Sequence, residues 1–165
     1  MRIRLIIVAA VLLFAFPVIS IAQSEANPLK SFDWLIGSKW AATDGNYHVF
    51  ERGIGGKSVV AKSYAMVGDE AKLVSEGVWF YHPGAKGIRG YVLAENMPFV
   101  LMEYETRFEN GKMINKLKTF DKGGKASYYH SEWTPNEKQD GYSWTLFSGE
   151  GDKLKKLMTE NYKKE

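Results

Sequence analysis

The chain has 165 residues, no cysteine, 45% hydrophobic and 14% aromatic residues, and a formal net charge of +3. Without cysteine it has neither disulfides nor thiolate metal sites, so apolar burial must carry its stability. Two basic residues, Arg2 and Arg4, belong to an N-terminal export signal; without them 20 basic residues face 19 acidic ones, and a net charge of +1 gives no basis for a charge-driven binder of nucleic acid or acidic polymers.

The signal reads from residue 1 to residue 22. Met1-Arg2-Ile3-Arg4 is its basic start, Leu5 to Phe16 its apolar stretch, Pro17 a break, and Ser20-Ile21-Ala22 the small-residue cleavage site, with cleavage expected before Gln23. The destination is periplasmic or secreted. The alternative is an N-terminal membrane anchor, because Leu5 to Ala22 is just long enough to span a bilayer. No cysteine follows the apolar stretch, which excludes a lipid-anchored lipoprotein. Residues 23–27 form a short linker, and residues 28–165 suit one domain with one core.

The first element of that domain is predicted to be a helix. Asn27 is a good N-cap, Pro28 suits the first helical position, and Leu29, Phe32, Leu35 and Ile36 fall on one face before Gly37 ends the run. Trp34 and Trp40 flank its end.

From Lys39 onward, short runs of β-branched and aromatic residues alternate with Gly, Asn, Asp and Pro. Ten strands are predicted, near Lys39–Thr43, Tyr47–Gly53, Lys57–Val67, Ala71–His82, Gly87–Ala94, Phe99–Glu109, Lys112–Asp121, Lys125–Thr134, Tyr142–Ser148 and Lys153–Lys163. Asp44-Gly45, Gly55-Gly56, Gly68-Asp69, Asn110-Gly111, Gly123-Gly124 and Asp140-Gly141 are turn dipeptides between them. Every connector is too short for a crossover helix, so neighbours should be antiparallel. Such a meander closes into an all-β, ten-stranded up-and-down barrel, which removes its edges. The N-terminal helix is then expected to cap one end, with Trp40 near the floor.

Alternation assigns faces in places. Val100, Met102, Tyr104, Thr106 and Phe108 share one face of their strand, and Glu103, Glu105 and Arg107 the other. Along Leu73 to His82 the sorting is weaker: Trp79 and Tyr81 lie on one face, while Val74, Glu76, Val78, Phe80 and His82 lie on the other.

A short helix leading through Gly37-Ser38-Lys39-Trp40 into an antiparallel barrel resembles the calycin superfamily, which holds the lipocalins and fatty-acid-binding proteins. In lipocalins a Gly-x-Trp begins the first strand and a basic side chain from the last strand lies over the Trp; here the spacing is Gly-x-x-Trp, and the last strand offers Lys163 or Lys164. The chain resembles more closely the exported DUF1579-type families, which look nitrobindin-like. Trp34-Leu35-Ile36-Gly37 with Trp40, Phe50-Glu51-Arg52 with Gly55-Gly56-Lys57, Glu76-Gly77 with Phe80-Tyr81-His82-Pro83, and Met158 with Tyr162-Lys163 carry that resemblance. It implies a ten-stranded barrel with a small apolar cavity. Nitrobindins hold haem through a histidine near the C-terminal end of the barrel, but none follows His130, so no haem ligand carries over.

The residues themselves offer little catalytic chemistry. His48, His82 and His130 sit on separate strands, and a metal site built with Glu51, Glu76 or Glu132 would have to be assembled wholly by the fold. Phe147-Ser148-Gly149-Glu150-Gly151 reads as a turn rather than a nucleophile elbow. The C-terminal lysines, interleaved with Asp152, Glu160 and Glu165, read as a solvated face. Acid–base chemistry stays open: if Glu76 looks inward, its carboxylate needs a partner such as His82, Arg52 or a tyrosine.

The leading expectation is an exported barrel that binds a small hydrophobic or amphipathic ligand, as a monomer and without cofactor, metal, nucleic-acid partner or stable membrane insertion after signal cleavage. Trp40, Arg52, Glu76, His82, Tyr104 and Trp144 are the expected ligand-binding residues. Two alternatives are an isomerase or cyclase using Glu76 or His82 for proton transfer, and an envelope protein-interaction module.

Overall fold

A computed structural model describes residues 27–95, 97–149 and 151–165. The expected signal peptide, its alternative anchor and the linker up to residue 26 lie outside the described residues. Ten strands follow in the predicted order: β1 (Lys39–Ala42), β2 (Tyr47–Arg52), β3 (Ser58–Val67), β4 (Glu70–His82), β5 (Gly87–Ala94), β6 (Leu101–Glu109), β7 (Lys112–Phe120), β8 (Ala126–Pro135), β9 (Gly141–Ser148) and β10 (Lys155–Lys164). Each pairs antiparallel with its chain neighbours, and β1 closes the barrel on β10 through Trp40↔Lys164, Ala41↔Lys163 and Ala42↔Tyr162. The connections after β1, β3, β5, β7 and β9 therefore share one rim, and those after β2, β4, β6 and β8 share the other.

The stretch before β1 departs from its expected form. Only Lys30–Phe32 is helical, as a 3₁₀ turn, and Phe32, Asp33, Leu35 and Ile36 each donate a backbone N–H to the carbonyl three residues earlier. The physical reason lies in the apolar spacing. Leu29, Phe32 and Leu35 recur every three residues, which the three-fold 3₁₀ repeat stacks on one face, and all three are fully buried. Asn27 is not the N-cap expected of it: Leu29 takes that position without a side-chain cap bond, and the Asn27 side-chain oxygen accepts from the Leu29 N–H at 3.0 Å in a local turn. Gly37, at φ +77°, turns the chain into β1 and donates to the Phe50 carbonyl at 3.0 Å.

This segment contributes to the core. Phe32 packs edge-on against Phe108 (5.0 Å between ring centres) and beside Trp79 (6.4 Å). Trp40 is completely buried, donates its indole N–H to the Leu35 carbonyl at 2.8 Å, and meets Trp34 and Tyr142 edge-to-face. Lys164, its cross-strand partner, holds its ammonium 6.0 Å from the Trp40 ring. Between β6, β7 and β8 a buried polar rung runs from Thr106 Oγ1 to Asn115 Oδ1 (2.7 Å) and from Asn115 Nδ2 to Ser131 Oγ (3.1 Å). Satisfied in this way, these groups avoid the desolvation cost of an orphaned buried amide.

Gly90 of β5 faces Trp79 of β4 in register, and the indole lies flat over the missing side chain. A Cβ built there would come within 2.5 Å of Trp79 Nε1 and 2.6 Å of its Cδ1. Gly90→Ala should push Trp79 out of its place and destabilise the barrel by about 1–3 kcal/mol, as overpacking does. Chemical denaturation of the variant reads this directly, and an unchanged midpoint would mean that Trp79 has room to move.

Candidate functional site

The barrel interior is filled towards the rim that carries the 110–111 turn and hollow towards the other. The hollow is a cavity of about 400 Å³. Its emptiness follows from small side chains on adjacent strands: Ala61 and Ser63 of β3 face Gly77 and Ser75 of β4, and Ala65 lines the same hollow. Phe50, Trp79, Met102, Tyr104, Trp133, Trp144 and Leu146 supply its apolar and aromatic walls, and Asn46, Met97, Pro98 and Phe99 lie where it approaches the rim.

The inward face of β4 is the one that carries Trp79, not the one that carries Glu76. Val78 and Phe80 lie on the outer wall, where Phe80 stacks on Tyr91, while Ser75, Gly77 and Trp79 face inward. A register shift next to Ser63/Tyr64 inserts Val74 as an extra residue, which breaks the alternation and brings Val74 to the cavity as well.

Two expected site residues therefore lie elsewhere. Glu76 is exposed on the outer wall, opposite Lys62, with Lys62 Nζ 3.8 Å from its carboxylate. His82 is exposed at the end of β4, where its Nδ1 accepts the Ala85 N–H at 3.1 Å and shapes the turn. Neither reaches the cavity, so proton transfer to an enclosed substrate is not theirs. Arg52 also stands apart from it. Arg52 pairs with Asp33 and donates to the Leu29 carbonyl at 3.3 Å, strapping the N-terminal segment to β2. Trp40 belongs to the packed core beneath. Tyr104 and Trp144 line the cavity, Tyr104 with its hydroxyl 3.7 Å from Met102 Sδ and its pKa raised by burial.

The polar part of the wall is built by residues that sequence periodicity did not single out. His48 of β2 forms a 2.7 Å hydrogen bond between Nδ1 and the Tyr142 hydroxyl. Its ring stacks on Tyr162 (4.4 Å) and lies 5.7 Å from Trp133. Burial lowers its pKa to about 4, so the imidazole is neutral at pH 7. Tyr142 is stacked between Trp133 (5.2 Å) and Tyr162 (4.9 Å), and its pKa is raised, chiefly by burial. Tyr162 donates to the Glu160 carboxylate at 2.5 Å; burial first, and then this bond, raises the tyrosine's pKa.

No protein-family model, curated protein or solved structure matches this chain. The site must accordingly be read from its own geometry.

Glu160 corrects the expectation of a solvated C-terminal face. Lys155, Lys156, Lys163 and Lys164 are exposed, but Glu160 alternates with Met158 and Tyr162 along the cavity side of β10. The signal for it was the i, i+2, i+4 set Met158, Glu160 and Tyr162, hidden because both faces of β10 mix polar and apolar residues. His48 was hidden for a different reason: its partner Tyr142 lies 94 residues away. Among the described residues, no three His, Asp or Glu side chains come together as a metal site.

Proposed function

We propose that this protein is an exported, monomeric, calycin-like carrier that binds a small, largely apolar molecule inside its barrel without changing it. The cavity of about 400 Å³, walled by aromatic and aliphatic side chains with a few convergent polar groups, carries the reading, because such sites are the usual form of a small-molecule pocket. In this reading Leu29, Phe32 and Leu35 seal the base of the barrel, and entry is through the rim at Met97, Pro98 and Phe99. The kinship with nitrobindin-like and DUF1579-type families belongs to the same proposal. It rests on the short motifs around Trp40, Phe50 and Tyr162.

Titration of the purified protein with a neutral fluorescent probe, N-phenyl-1-naphthylamine, tests it. Saturable one-to-one binding is expected. Ser63→Phe, which projects a ring into the hollow, should abolish that binding while leaving the thermal midpoint near that of the parent. Binding that survives Ser63→Phe would place the probe elsewhere, and the absence of saturable binding would remove the reading.

A further inference from the structure

Among the described residues, the cavity wall carries one carboxylate, that of Glu160, and no lysine or arginine to balance it. Nor does Glu160 belong to any of the ion pairs formed among the described residues, which involve Asp33, Glu76, Glu105, Glu109, Glu132 and Glu165. Its one side-chain hydrogen bond comes from the Tyr162 hydroxyl. Placement of Glu160 towards the hollow follows from the strand, since Met158, Glu160 and Tyr162 all line it and Glu160 pairs across with the cavity residue Trp144.

Aromatic rings line the same part of the hollow as that carboxylate: His48, Trp133, Trp144 and Tyr162. Trp133, Tyr142, Tyr162 and His48 form a stacked series across β8, β9, β10 and β2, and Trp144 stands in register beside Glu160. A carboxylate and aromatic rings lining one hollow attract cations together, through the charge of the one and the quadrupoles of the others. An anion entering the same space meets an unbalanced negative charge with no compensating donor cation. The imidazole of His48 supplies none, because burial keeps it neutral.

We propose that the ligand of this cavity is an amphipathic monocation, an apolar and preferably aromatic body bearing one protonated amine, with the ammonium held at Glu160 and the body against Trp133 and Trp144. The inference rests on the cavity being a binding site and adds the sign of charge. It excludes fatty acids and other carboxylates as preferred ligands.

Three matched probes decide it by calorimetric titration at pH 7: 1-naphthylmethylamine, protonated at that pH, 1-naphthylmethanol, and 1-naphthoate. The amine should bind about tenfold more tightly than the alcohol, the size expected for a partly desolvated cation among rings and a carboxylate, and the naphthoate should bind weakest. In Glu160→Gln the advantage of amine over alcohol should disappear while the alcohol still binds. Glu160→Met provides a second neutral replacement should glutamine disturb the Tyr162 bond. Alcohol binding as tightly as amine, or naphthoate binding tightest, would overturn the cation assignment and leave the cavity reading intact. An amine preference that persists in both variants would overturn the role of Glu160. Failure of all three probes to bind would overturn both.

Discussion

Trp40→Ala is expected to destabilise the protein by about 3–5 kcal/mol, the range for removing a fully buried aromatic side chain. Three consequences combine in that figure. The indole volume is lost between Trp34 and Tyr142, leaving a void that a closed barrel cannot easily collapse to fill. The Leu35 carbonyl loses the donor that it takes at 2.8 Å. The segment of 3₁₀ turns loses the side chain that ties it to the start of β1, so Leu29, Phe32 and Leu35 are less firmly held. Trp40→Phe separates these effects, since it keeps a ring but removes the N–H, and its cost should fall well below that of alanine. Urea denaturation of the parent and both variants measures the series. A loss of less than about 1 kcal/mol for alanine would mean that the corner packs loosely, against the burial on which the argument rests.

The barrel was legible because its turns were. Asp44-Gly45, Gly68-Asp69 and Asn110-Gly111 mark hairpin corners through backbone chemistry local to two residues, and Gly45, Gly68, Asn110 and Gly111 all adopt positive φ there. Strand limits consequently fall within two residues of expectation. Two features required information that is not local. The three-residue recurrence of Leu29, Phe32 and Leu35 suits 3₁₀ turns, but Ile36, which completes a helical face with them, conceals it, and only their common burial in the barrel base shows the tighter repeat. On β4, the large residues Val78 and Phe80 look like core, whereas the cavity is made by the small residues Ser75 and Gly77. Both faces of β4 carry bulky residues, Trp79 inward and Val78 and Phe80 outward, so bulk does not assign the strand's parity, and the inserted Val74 obscures it further. Sequence therefore placed Tyr104 and Trp144 on the cavity wall but sent the ionisable groups to Glu76 and His82, on the outside, instead of to Glu160 and His48.

Acidification should weaken the fold through His48, and the window follows from its buried environment. In the unfolded chain its imidazole titrates near 6.5, and in the folded barrel burial lowers that value to about 4. Between these values the unfolded chain holds a proton that the folded one does not, so the stability present above pH 6.5 falls as pH drops towards 4 and then levels off. At about 1.4 kcal/mol per pH unit the full loss is at most about 3.5 kcal/mol, reduced to the extent that the half-buried ring keeps contact with the cavity. Protonation also changes the hydrogen bond with Tyr142, because an imidazolium can only donate at Nδ1 and the tyrosine hydroxyl must then accept. His48→Gln keeps a polar side chain that does not titrate. Denaturation midpoints for parent and variant at pH 7, 6, 5 and 4 isolate the histidine, since the carboxylates that titrate over the same range are common to both proteins. The parent should lose more stability than the variant between pH 6.5 and 4, and the two should run parallel above pH 7. Parallel curves throughout would show that the His48 ring is protonated as readily inside the barrel as in the unfolded chain, and the wall around the cavity would then carry a positive charge in mild acid.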